Sequence, residues 1–231
     1  MTNLETRLLE VRQLGQERVG IFDLPEKFLP YPGQYLPCQK HFDDTKLLPT
    51  HLFQVFCPYE ESCLGPLPEN WYPGDRIRSL PPQGNGFRLP SSSRRLGLLS
   101  LGESPLRLLA LTKIALAQNA AIALFCDPKP DPDLLNLLPP MVEVSSINSL
   151  QDNLDWPDFL GVDLDHTNLN QLNDILGYFD LRFEGQVLVR TPMPCHGLGE
   201  CGICAVRTHH GSRLACVDGP VFSLQEVLHV A

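Results

Sequence analysis

Eight cysteines occur in this 231-residue chain, and four of them crowd into "TPMPCHGLGECGICAVRTHHGSRLACVDGPVF", residues 191–222. Cys195, Cys201, Cys204 and Cys216 follow the spacing C-x5-C-x2-C-x11-C. Three thiolates on one tight loop, with a fourth returning from a short hairpin, form the ligand layout of a plant-type [2Fe–2S] site. Gly197 and Gly199 suit that use. Glycine lets a backbone close around a cluster and aim N–H groups at its sulfurs. "AVRTHHGSRLAC" reads as two short strands turning at "HHG", which carries Cys216 back to the loop.

Other uses of four thiols stay open at this point. A structural zinc site would also take four thiolates, but usually through two C-x2-C knuckles, and only one is present. Disulfides belong to oxidising compartments. Met193 is expected to pack or lie at the surface. His196 could act as a Rieske-type ligand, but four cysteines already complete a set.

Something must hold that loop, and the whole chain divides into three parts. Residues 1–90 carry short alternating segments broken by turns: "RLLEVRQLG", "ERVGIFDLP", "PYPGQYLPC", "HLFQVFC" and "GDRIRSL". They predict a small antiparallel β-barrel or sandwich, of which the barrel is the expectation. Residues 91–184 change character. "SPLRLLALTKIALAQ" (104–118) has helical spacing, with Ser104 as N-cap and Pro105 as first helical residue. "AAIALFC", "MVEVSS" and "FLGVDLD" read as strands, "NLNQLNDILGYF" as a helix, and "DPKPDPD" as a loop. Alternating strands and helices predict a central α/β domain built on a parallel sheet. The third part, 185–231, opens with the strand "GQVLVRT" and holds the cluster. The fold class is thus α+β and multidomain.

Composition excludes several functions. A net charge of -9 leaves no cationic excess for a phosphate backbone, so nucleic acid is not an expected partner. "AAIALFC" is too short to span a bilayer, and "MTNLETRLLEVRQLG" has no apolar core of a signal peptide. The expectation is a soluble cytoplasmic protein with reduced thiols. Asp163, Asp165 and His166 lie where a strand meets a helix and are read as caps. Cys38, Cys57, Cys63 and Cys126 are read as small buried hydrophobes, and Trp71 and Trp156 as packing residues.

"MPCHGLGECGICAV" followed by "ACVDGPVF" resembles the iron–sulfur end of the dihydroorotate dehydrogenase electron transfer subunit, in the ferredoxin reductase superfamily. Cys201, Cys204, Cys216, Gly219, Pro220, Val221 and Phe222 carry the match, and the first loop has one residue more than the family commonly shows. "PGQYLP" (32–37) and "YPGDRIRSLPPQGNGFRLP" (72–90) are similar to the family's flavin barrel. The resemblance implies that Gly84, Asn85, Gly86 and Phe87 contact FAD. It also implies a flavoprotein catalytic partner, dihydroorotate dehydrogenase of pyrimidine biosynthesis, in a hetero-oligomer.

The chain departs from that family at its nucleotide sites. Residues 38–70 contain no arginine, where the family places one against the FAD diphosphate; Lys40 and Lys46 are the only cations there. In "LLSLGESPLRLL" (98–109), Leu99, Ser100 and Leu101 stand where the family has glycines under the NAD pyrophosphate, and Glu103 adds negative charge. The family's later C-G-P-x-x-M signature is replaced by "FLGVDLDHTNLNQL". The expectation is an iron–sulfur relay with weakened FAD binding and no NAD binding, its α/β domain kept as scaffold. A non-catalytic module stapled by the same four cysteines is the alternative.

Overall fold

The computed structural model describes residues 4–41, 48–58, 60–102, 104–195 and 197–228. Lys46, Glu103 and His196 lie outside the described residues.

The N-terminal part is a closed antiparallel barrel. Its strands are β1 (Leu4–Leu14), β2 (Glu17–Phe22), β3 (Tyr35–Lys40), β4 (Thr50–Gln54), β5 (Cys63–Gly65) and β6 (Arg76–Ser79). They run around the barrel in the order β1-β2-β5-β4-β3-β6, closed by pairing of β1 with β6. Alternation of apolar and polar residues turns one set of side chains inward. Leu8, Phe22, Leu36, Leu52, Leu64, Trp71 and Ile77 fill that interior. The opposite set, including Leu14, Val19, Tyr35, Phe53 and Val55, packs into a larger core shared with the rest of the molecule. The sequence reading finds five of these strands and misses β5, whose three residues are too short for a visible period.

The central part is built from β7 (Arg95–Leu101), α1 (Leu106–Leu109), α2 (Leu111–Ala117), β8 (Ala121–Cys126), α3 (Pro132–Leu137), β9 (Val142–Ser145), α4 (Ile147–Asp152), β10 (Phe159–Asp165), α5 (Leu169–Leu176) and β11 (Glu184–Arg190). The strands pair in parallel in the order β11-β10-β7-β8-β9. Continuous apolar runs suit strands covered on both faces. Leu96, Leu98, Leu99, Val162, Leu164, Val187 and Leu188 are buried there. Strand order reverses between β7 and β10, the place where such sheets open a ligand crevice.

Two local expectations change. The helix predicted over 104–118 is divided at Ala110. The Thr112 hydroxyl donates to the Leu109 carbonyl at 2.6 Å, offering that carbonyl a partner other than the helical ladder. "DPKPDPD" is not all loop, because α3 starts at Pro132. Asp131 caps it by accepting from the Asp133 N–H at 2.9 Å, with proline at the first helical position.

The tail adds β12 (Ala205–Thr208), β13 (Gly211–Leu214), β14 (Val221–Ser223) and α6 (Leu224–Val227). β12 and β13 form the hairpin that the sequence suggests, with Val206 opposite Arg213. β14 pairs antiparallel with β11, and Phe222, 4% exposed, lies opposite Val187. Burying a side chain of this size is worth about 1.5–3 kcal/mol. The cysteine segment is therefore held at both ends by one sheet. Among the described residues, no helix is long and apolar enough to cross a membrane.

Candidate metal centre

β11 ends at Arg190, and β14 begins at Val221. Everything between is a loop and a hairpin whose ends are both fixed on the central sheet. Within it the four sulfurs converge as two pairs. Cys201 is hydrogen-bonded to Cys195, and Cys204 Sγ lies 3.2 Å from Cys216 Sγ. All four are free thiols, well short of disulfide bonding. Among the described residues, no three His, Cys, Asp or Glu side chains gather into a shell for one metal ion. Four cysteines on one loop and hairpin are a set that an iron–sulfur cluster or a zinc ion can use.

Backbone N–H groups are aimed at this sulfur cluster. Burial works to raise the Cys195 thiol. A hydrogen bond from Cys201 and the N–H groups of Gly199, Cys201 and Glu200 outweigh it and hold the thiol low. Cys216 is pushed up, first by burial and then by its hydrogen bond with Cys204. Cys204 and Cys216 are buried, Cys195 is half-buried and Cys201 is exposed. Leu198, Ile203 and Val217 of the same segment are each more than half exposed.

The loop can fold this way because its glycines adopt left-handed backbone. Gly197 (φ 83°) also presses against the barrel: a Cβ there would run into Gln83 Oε1 and lie 3.0 Å from the Tyr35 hydroxyl. By contrast, a Cβ on Gly202 (φ 69°) would meet nothing. The atom met is the far end of the Gln83 side chain, so Gly197→Ala is expected to destabilise the fold by about 0.5–1.5 kcal/mol more than Gly202→Ala, the cost of pushing that side chain off its rotamer. Parallel urea titrations of the two variants check this; equal losses would show that the close approach to Gln83 is unimportant.

Tyr35 is a contact that the sequence reading misses. Its ring is fully buried against His51 at 5.2 Å, and its hydroxyl donates to the Cys216 carbonyl at 3.2 Å. Burial, followed by the charges of Cys216, Cys204 and Cys195, raises its ionisation well above the ordinary range. It stays a neutral donor, tying β3 to the cysteine loop.

Gly84, Asn85, Gly86 and Phe87 lie where the barrel meets the tail. The Asn85 side chain donates to the Asp218 carbonyl at 2.6 Å, and its backbone bridges to Pro220. A Cβ on Gly84 would collide with Pro220, and one on Gly86 would lie 2.9 Å from the Pro32 carbonyl. Phe87 is fully buried in the shared core. Much of this surface is engaged with the chain itself. Lys40 is ion-paired with Asp75 at 2.7 Å. Cys38, Cys57, Cys63 and Cys126 are buried as expected, as are Trp71 and Met193.

The crevice at the β7–β10 switch point is a cleft of roughly 590 Å3, lined by Glu17, Gly102, Arg107, Asp165 and Arg190 among others. Asp165 is the cap that the sequence suggests, accepting from the Thr167 N–H and hydroxyl at 3.1 and 2.8 Å. Asp163 corrects its reading as a cap. It is 1% exposed and accepts from Arg107 Nε at 2.9 Å and Arg190 Nε at 2.8 Å. Arg107 also donates to Glu17 of the barrel at 2.7 Å. The reason is register: Asp163 points into the sheet core beside Ser100, while Asp165 has reached the strand end. Arg190 Nη2 lies 2.6 Å from where a Cβ on Gly102 would stand. α1 behind this turn is only four residues long, so it offers a pyrophosphate little of a helix N-terminus.

Residues 191–228 match the family described as the iron-sulfur cluster binding domain of dihydroorotate dehydrogenase B. No curated protein matches the chain by sequence. Among solved structures, a likeness covers 96% of this chain and 88% of the NADH-dependent reduced ferredoxin-NADP oxidoreductase described for flavin-based electron bifurcation, with a TM-score of 0.71 at 17% identity. The ferredoxin reductase in carbazole 1,9a-dioxygenase is similar over 78% of this chain and 67% of its own, with a TM-score of 0.59 at 14% identity. Ferredoxin-NADP+ reductase from Plasmodium falciparum is similar over 82% and 97%, with a TM-score of 0.58 at 12% identity. The fold expected from the sequence is borne out by these likenesses.

Proposed function

The iron–sulfur match in the tail and the ferredoxin reductase fold support a dihydroorotate dehydrogenase type of electron transfer subunit, and from that premise we propose a one-electron relay. The observation that carries it is the convergence of four free thiols as two pairs under a set of backbone N–H groups. Cys195 and Cys201 would hold one iron, and Cys204 and Cys216 the other. A [2Fe–2S] cluster bound there supplies acceptance and release of single electrons.

The chain's own residues set the terms of that transfer. N–H groups of Gly199, Glu200 and Cys201 offset negative charge at sulfur and favour the reduced state. Burial of Cys204 and Cys216, backed by Tyr35, excludes water from the inner side. The exposed part of the segment, with Cys201, Leu198, Ile203 and Val217, is the surface a partner would cover.

A relay needs a donor and an acceptor. Of the residues that the resemblance implies for FAD, Gly84 and Asn85 pack on the tail, and the dinucleotide crevice is lined by carboxylates paired with its arginines. In this reading the second redox centre belongs to a flavoprotein catalytic subunit, dihydroorotate dehydrogenase of pyrimidine biosynthesis, in a cytoplasmic hetero-oligomer. The chain in this reading binds flavin weakly at most and does not use NAD.

Metal, sulfide and flavin analysis of protein purified without oxygen tests the proposal. The expected result is a coloured protein with a pair of irons and a pair of acid-labile sulfides per chain, without flavin. One equivalent of zinc in a colourless protein would replace the relay with the staple. Stoichiometric FAD released on denaturation would put the flavin back in this chain.

A further inference from the structure

A second pair of sulfurs lies on the barrel, outside the tail. Cys57 follows β4 and Cys63 opens β5. The Val55 N–H donates to the Cys63 carbonyl at 3.1 Å, so the strand pairing brings the two cysteines side by side. The Cys63 thiol is hydrogen-bonded to the Cys57 sulfur. From β1, Arg12 Nη1 donates to the same sulfur at 3.2 Å. That guanidinium is steadied by both carboxylate oxygens of Glu10, at 2.7 and 3.0 Å.

Two donors, one of them cationic, thus converge on Cys57. Charge and hydrogen bonding of this kind favour the thiolate, the form that attacks sulfur. The hydrogen bond from Cys63 lowers the Cys57 thiol first, burial opposes it, Arg12 lowers it further, and Glu60 works against it. Cys63 moves the other way, raised by the same hydrogen bond and by burial, so it keeps its proton. Cys38 and Cys126 provide the contrast. Burial pushes their thiols up to about 12 and about 11, respectively, and no cation bonds to either sulfur among the described residues.

We propose that Cys57 and Cys63 form a redox-active dithiol that exchanges with small disulfides, with Cys57 attacking and Cys63 resolving. The Cys57 thiolate attacks one sulfur of R–S–S–R; that bond breaks, a thiolate RS⁻ leaves, and a mixed disulfide forms. Cys63 then passes its proton to the departed thiolate, and its sulfur attacks Cys57 and expels the second RS⁻. The pair loses two electrons to the reagent, which ends as one thiol and one thiolate. Both cysteine residues are fully covered. Exchange therefore follows local opening at the end of the β4–β5 pair and runs slower than at an exposed thiol.

The probe is 2-hydroxyethyl disulfide, added at pH 7 to the reduced full-length protein, followed by alkylation in denaturant and peptide mapping without reduction. The expected product is a peptide linked through Cys57 and Cys63. Cys63→Ser stops the reaction at a mixed disulfide on Cys57, and Cys57→Ser leaves position 63 unmodified. Arg12→Gln slows modification of Cys57 several-fold and moves its alkylation rate profile to higher pH, an effect that a packing role would not produce. A wild-type map with no linked peptide, and with Cys57 modified no faster than Cys38 or Cys126, would overturn the proposal. The same map reads the four tail cysteines separately, so its outcome stands apart from the cluster assignment.

Discussion

Cys204→Ser is expected to be colourless and essentially free of iron. Cys204 is 1% exposed and has the Cys216 sulfur 3.2 Å away, so its thiolate has no substitute within the pocket. A serine hydroxyl ionises far above the thiol range and offers a poor anion to iron at neutral pH. The metal that Cys216 shares with it would be left with one protein ligand. Cys126→Ser is the matched control, since that thiol is equally buried but lies on β8 of the central sheet. Its visible spectrum is expected to be unchanged. Bleaching by Cys126→Ser, with colour retained in Cys204→Ser, would reverse the ligand assignment. Absorbance and iron content of the two purified variants read the result directly.

The second large effect falls on stability. Asp163→Ala is expected to cost about 3–5 kcal/mol, because it leaves the buried guanidinium of Arg107 without its inner partner. Burial works against the charge on Arg107, and attraction to Asp163 and Glu17 more than offsets it. With one carboxylate gone, only Glu17 remains, while Arg190 can turn toward solvent from its 25% exposed position. At about 2–4 °C per kcal/mol for a chain of this size, Tm should fall by roughly 10 °C. The exposed pair Arg213–Asp218, at 3.7 Å, sets the opposite limit. Arg213→Ala should cost less than about 1 kcal/mol, since water screens such contacts. Equal urea midpoints for Asp163→Ala and wild type would show that the network bears no stability. That network joins α1, β10, β11 and the barrel strand β2, so its loss should also loosen the barrel from the sheet.

Proximity along the chain decides what could be read early. The four tail cysteines fall within 22 residues, and three of them share one loop. A ligand set that local is written in its spacing, because short loops between ligands leave few geometries. Strand alternation in β1–β4 and β6, the hairpin at "HHG" and the parallel sheet are legible for the same reason. Each rests on periods of two or on neighbouring elements. Short or interrupted elements are not: β5 is three residues, and the helix at Leu106 is broken by a side-chain bond to its own backbone.

The amino-acid sequence by itself determined the cysteine-rich loop, its glycines, and the order of barrel, sheet and tail. Only the tertiary structure decided what lines the crevices between them. Asp163 meets Arg107 across 56 residues and Arg107 meets Glu17 across 90, so no local pattern could separate a buried ion pair from a helix cap. Tyr35 reaches Cys216 across 181 residues, and Arg12 reaches Cys57 across 45. Such pairs exist because strand register turns a particular side chain inward. Register is set by the whole sheet's burial, since a slip of one residue would send each of these side chains to the other face.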